Sequence, residues 1–181
     1  MKPMKHSFLL GLLAPIVAAG SLHAATDFLL KIEGVDGEAS PGHHQKSIEI
    51  HSWSWSASNP TSSSGSGGGA GKAVFSDMTF TASMSKASPQ LLLAVTRTNR
   101  IPQATLFMRK SGTTNEYHEI KLENVLVTSF GQRGEASPTS DSVPTDRFAL
   151  NFEKVTFKHV GVDGTNTTGT ATSALVAIPP Q

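Results

Sequence analysis

The sequence predicts a mainly β domain with one short α-helix, and three observations carry that prediction. Apolar and polar residues alternate in several short runs, most cleanly where Met78, Phe80, Ala82 and Met84 alternate with Thr79, Thr81 and Ser83. Clusters of Gly, Pro, Ser and Asn separate the runs. Only one segment, opening at Ser88-Pro89, combines a helix-start signal with apolar residues in helical spacing. Several short strands around a single helix imply a sandwich or a small barrel.

In chain order, Asp27 to Glu33 places Phe28, Leu30 and Ile32 on one face, and Gly34-Val35-Asp36-Gly37 supplies a turn. Ile48 and Ile50 alternate, but Trp53 and Trp55 fall on the opposite parity. One extra residue near His51-Ser52, a β-bulge, would return both pairs to one face; a strand buried on both sides is the alternative. In the helix, Ser88 suits the N-cap, Pro89 the first position, and Leu91, Leu92 and Val95 form an apolar stripe ending by Thr98-Asn99. Strands follow at Ala104 to Arg109 and at Glu116 to Phe130, the second with Ile120, Leu122, Leu126 and Phe130 on one parity. In the last, Arg147 to Val160, Phe148, Leu150 and Phe152 give way to Val155, Phe157 and His159, marking a second bulge candidate.

The N-terminal segment reads as a secretory leader. Lys2 and Lys5 precede an apolar run from Phe8 to Ala19, and Ser21 to Ala25 ends in small residues. The run is too short to span a bilayer, so no stable membrane insertion is expected. Residues 1–24 are assigned to the leader, 25–160 to the β domain, and 161–181 to a low-complexity tail. The corresponding location is secreted or periplasmic, and the absence of cysteine leaves an exported chain without disulfides. Loss of Lys2 and Lys5 turns a net charge of +1 into −1, which does not favour nucleic acid as a partner.

No motif points to catalysis, a cofactor or a metal. There is no Gly-x-Ser-x-Gly elbow, and Gly71-Lys72 is followed by Ala73, which cannot supply the hydroxyl of a phosphate-binding loop. His43-His44 would point to opposite faces of an extended chain, and His51 lacks a carboxylate motif. His118 and His159 fall within strands and read as ordinary pairing residues, and Arg97, Arg100, Arg109 and Lys110 as a solvated surface. The segment Ala57 to Lys72 is long, irregular and rich in Ser and Gly, which favours a contact segment over a linker inside one domain.

An ordered series of segments resembles the Hcp family, the haemolysin-coregulated tube proteins of type VI secretion. It comprises Asp27 to Ala39, Ile48 to Ser56, Phe75 to Met84 with Lys86-Ala87-Ser88-Pro89-Gln90-Leu91, Ile101 to Leu106, Arg109 to Gly112, Leu122 to Ser129 and Leu150 to Val155. The resemblance implies a β-barrel of two antiparallel sheets with one short helix on its side. It also implies a non-enzymatic subunit that forms homohexameric rings, stacks them into a tube, and engages sheath, spike and effector proteins. The segment containing Ser58, Ser62, Ser64, Gly67, Gly69 and Lys72 corresponds to the family's extended loop, and so to contacts between stacked rings. Two departures stand out: a leader is unusual in a tube subunit, and the sequence after Val160 offers no counterpart of the family's closing strand. The alternative reading is an exported paralogue that binds a partner without a sheath; a hydrolase with an unrecognised site is a remote third.

Overall fold

A computed structural model describes residues 26–39, 44–59, 73–113, 115–135, 143–161 and 164–172. The elements are β1 (Thr26–Ile32), β2 (Ile48–Ser54), β3 (Ala57–Ser58), β4 (Val74–Phe75), β5 (Met78–Ser83), α1 (Ala87–Thr96), β6 (Ile101–Lys110), β7 (Glu116–Arg133), β8 (Thr145–Asn151), β9 (Lys154–Val160) and β10 (Asn166–Thr172). All strand pairings are antiparallel. The main sheet runs β10-β9-β7-β6-β1-β2-β5-β8, and a further β7–β8 pairing closes six of its strands into a barrel. The hydrogen bonding is therefore continuous around the barrel, while β9 and β10 extend from the N-terminal half of β7 and β3–β4 form a separate ribbon.

The predicted alternation places the core. Met78, Phe80 and Ala82 of β5 are buried, as are Leu30 and Ile32 of β1 and Ala104, Leu106 and Met108 of β6. Phe80 stacks on Phe148 across the β5–β8 pair, with ring centres 5.3 Å apart. In β2 the register shifts between Ile50 and Ser52, so the inferred bulge is present and Trp53 pairs with Phe80. Trp53 and Trp55 both pack, half-buried, against the core.

Three details depart from the sequence reading. In β7 the buried residues are Ile120 and Leu122, then Val125 and Val127, while Leu126 and Phe130 are only half-buried. The parity changes at Asn124, which adopts φ +56°, a left-handed conformation that asparagine tolerates better than most residues. The second inferred bulge is instead a bend: Leu126 pairs with Asn151 and Glu123 with Lys154, so no residue is inserted between Phe152 and Val155. The register shift lies nearby, between Val127 and Ser129 of β7. Third, the stretch read as featureless after Val160 forms β10, paired with β9 over seven residues from Asn166–Val160 to Thr172–Lys154. Its threonines favour extended backbone without contributing an apolar face, so periodicity gave no sign of it.

The helix also begins differently. Lys86 occupies the N-cap without a side-chain cap, and Ser88 lies inside the first turn. The Ser88 hydroxyl accepts from the Ser85 N–H at 2.9 Å and donates to buried Asp146 on β8. Asp146 also accepts from Gln132 Nε2 of β7 at 2.9 Å. This network fastens the start of α1 to the β7–β8 closure. Leu91 is buried beneath the helix, whereas Leu92 is 52% exposed and Val95 half-buried, so the apolar stripe is narrower than expected.

Two substitutions test these constraints. Gly37 donates to Lys46 O at 2.8 Å, and a Cβ there would lie 2.1 Å from the Ser47 carbonyl oxygen. Gly37→Ala is expected to cost about 1–3 kcal/mol or more in chemical denaturation, because backbone must separate to admit the methyl. Ser88→Ala removes a donor from a buried carboxylate and is expected to cost about 1–3 kcal/mol, with the far-UV spectrum unchanged.

Candidate functional site

With its interior filled by side chains, the barrel presents its polar and apolar functional groups on three surfaces. The first lies where β2 and β5 continue into the β3–β4 ribbon. Ala57 pairs with Phe75 and Ser58 with Val74, and the Ser76 hydroxyl accepts from the Ser56 N–H at 2.9 Å. Ser58 is exposed on this ribbon; Ser62, Ser64, Gly67, Gly69 and Lys72 lie outside the described residues. Beneath the ribbon, Trp55 packs on Phe75 at 5.9 Å, Phe157 at 5.2 Å and Phe152 at 6.3 Å between ring centres. This aromatic cluster ties the base of the loop to β9.

The second surface is the β9–β10 extension. Six of the seven residues of β10 are exposed, and among the described residues β10 pairs only with β9. Thr156 and Thr170 face each other with hydroxyls 3.2 Å apart. Where β9 joins the barrel, Lys154 Nζ lies 2.7 Å from Glu123 Oε2. The hydrogen bond from Lys154, opposed by desolvation and aided by Lys121, holds the Glu123 carboxyl below its ordinary pKa. Farther along the same ladder His118 and His159 are direct cross-strand partners. Burial, and then the neighbouring His159, lower the pKa of His118.

The third surface is the outer face of α1. Leu92 and Leu93 are about half exposed. Leu93 borders a shallow groove of about 330 Å³, together with Val35, Ala94, Arg97, Arg100 and Pro102. Arg100 Nη1 donates to the Asn124 carbonyl at 3.0 Å, fixing it over the bend in β7. Arg109 lies at the far end of β6 and pairs with Asp27 at 3.1 Å, so the four cations named from the sequence do not form one patch.

The remaining histidines have separate roles. His44 stacks on Phe107 with ring centres 3.6 Å apart and bonds to Glu116, a partner 72 residues away that local sequence could not reveal. His43 lies outside the described residues. His51 Nε2 lies 2.8 Å from Ser83 Oγ. Among the described residues no group of three or more His, Cys, Asp or Glu side chains is placed to hold a metal ion. Also among them, no helix is long and apolar enough to cross a membrane. Sequence reasoning missed β10 and the exposure of Leu92 and Leu93 on the helix; the run Leu91-Leu92-Leu93, too wide for one face, was the available signal for the latter.

Comparison with known proteins agrees with this architecture. Residues 29–159 match the family model described as type VI secretion system effector, Hcp. The chain is 42% identical over 134 residues to protein hcp1 of Pseudomonas aeruginosa, covering 72% of this chain and 81% of that protein. The fold is similar to the crystal structure of Hcp1 from Salmonella typhimurium, with a TM-score of 0.70 and 30% identity over 82% of this chain and 95% of that one. It is also similar to a type VI secretion system effector from Yersinia pestis, with a TM-score of 0.68 and 25% identity over 81% and 99% of the two chains. The family match ends at His159, so β10 lies beyond it. A family match across most of the chain and a relative of this identity lead to one conclusion: the chain belongs to the Hcp family of type VI secretion system effectors.

Proposed function

We propose that the protein is a non-enzymatic structural subunit that forms homohexameric rings, which stack into a tube able to hold effector proteins. The observation that carries this reading is the closed barrel of an Hcp-family chain whose functional groups lie outward, on a ribbon, an extension and a helix face. Six copies joined through one repeated heterologous contact close a ring, because each subunit offers two different surfaces to its neighbours. The outer edge of β10 and the apolar face of α1 are two such surfaces, and burial in a ring would protect both from non-specific association. The segment from Ala57 to Lys72 then contributes to stacking, since it starts from a ribbon anchored by Trp55 and Phe75. Sheath and spike proteins are the further partners this role requires.

A second reading is favoured by Lys2, Lys5 and the apolar run from Phe8 to Ala19. It is an exported paralogue, secreted or periplasmic, that uses the same surfaces on another partner. Residues 1–24 would then be removed and 25–160 would form the working domain, with 161–181 as an appendage partly organised by β10.

Light scattering on the purified protein is expected to give a mass six times that of the chain; a monomer at high concentration rules out the ring. Deleting residues 60–72 is expected to leave the hexamer and its denaturation midpoint intact while abolishing longer stacks in electron micrographs. Loss of the folded monomer would instead show that this loop supports the barrel. N-terminal sequencing of the protein recovered from cells separates the two readings: a start at Ala25 or Thr26 selects the exported paralogue, and an intact start selects the tube subunit.

A further inference from the structure

We propose that His118 and His159 form a two-histidine site for a borderline divalent transition ion, with zinc the natural candidate, clamping the β9–β10 extension to the barrel. The two residues are direct partners in the antiparallel β7–β9 ladder, so both side chains leave the same face at the same level. Their ring centres are 5.7 Å apart and the rings are inclined by 54°, so they are close without being stacked in parallel. With zinc–nitrogen bonds near 2.1 Å and ring nitrogens about 1.1 Å from the ring centre, two imidazoles on one tetrahedral ion have centres about 5.3 Å apart. The observed separation of ring centres is therefore close to that of a chelating pair.

The surroundings suit such an ion. His159 is exposed and His118 half-buried, so an ion can enter from solvent and keep water at its remaining positions. The neighbours of the pair across the flanking strands are Met108 on β6 and Thr167 on β10. Phe157 covers the inner side, 5.9 Å from His118, and itself packs on Trp55. Imidazole nitrogens select zinc, nickel or copper over magnesium or calcium, which take oxygen ligands. Such an ion would bridge the residue pair where β9 runs on toward the turn into β10. It would also pin the one part of the sheet that lies outside the six-stranded closure. Both ligands come from one chain.

Isothermal titration of the full chain with zinc chloride near neutral pH tests the assignment. One ion per chain is expected, with affinity reduced at least about ten-fold in both His118→Gln and His159→Gln, since each removes one of two protein ligands. His44→Gln and His51→Gln are expected to bind as the parent does. Because His159 is exposed, His159→Gln preserves the fold and keeps the test decisive even if the His118 variant does not fold. Hydrogen exchange gives a second readout: zinc should slow exchange of β9 and β10 amides in the parent and leave them unchanged in His159→Gln. Absence of zinc binding by the parent, or binding that survives both substitutions, overturns the proposal.

Discussion

The fold depends on one strand, β7, that belongs to three ladders. Along its first half β7 pairs with β6 on one side and β9 on the other; along its second half it pairs with β8 and closes the barrel. One strand can serve both only if its path bends between them, and the bend is built at Asn124. There the backbone enters the left-handed region, the side chain donates to Glu153 Oε2, and the carbonyl accepts from Arg100. The Glu153 N–H donates to the Glu123 carbonyl at 3.1 Å, so the junction between β8 and β9 turns with β7. Without this joint the strand would either close the barrel or carry the extension.

That joint explains which parts of the fold were legible in the sequence. Strict alternation reports a strand whose two faces remain constant, and β5 satisfies it from Met78 to Ser83. The bulge in β2 was legible because two isoleucines and two tryptophans, all large, change parity across a single residue. In β7 the signal fails because Leu122, Val125, Leu126 and Val127 offer apolar residues on both parities. Which of them faces inward is decided by Asn124 and by the register shift at Val127–Ser129, and neither follows from composition.

The loss of β10 has a different cause. Its sequence, Asn-Thr-Thr-Gly-Thr-Ala-Thr, contains no large apolar side chain, and the strand has almost no buried face. It is held by seven backbone pairings to β9, whose own buried residue, Val155, packs into the core. A strand stabilised by main-chain bonds beside an anchored neighbour leaves no hydrophobic pattern to read. The same is true at the start of α1. Ser88 looked like a cap, yet its hydroxyl is committed to Asp146, a residue 58 positions away.

These features also explain why the candidate site lies on the outside. The barrel is filled by large side chains, with Phe80, Phe148, Phe152 and Met78 essentially inaccessible. A six-stranded barrel is narrow, and these side chains occupy its interior. The buried polar side chains Ser88 and Asp146 are consumed in fastening elements together. Recognition chemistry is therefore displaced to elements the closure does not use: the β3–β4 ribbon, the β9–β10 extension and the outer face of α1. Each meets the barrel through an apolar anchor packed on the core, respectively the half-buried Trp55 cluster, Val155 and Leu91. Substitution of exposed residues in these outer elements can change what the protein contacts without disturbing the core, and β10, six of whose seven residues are exposed, offers the most such positions.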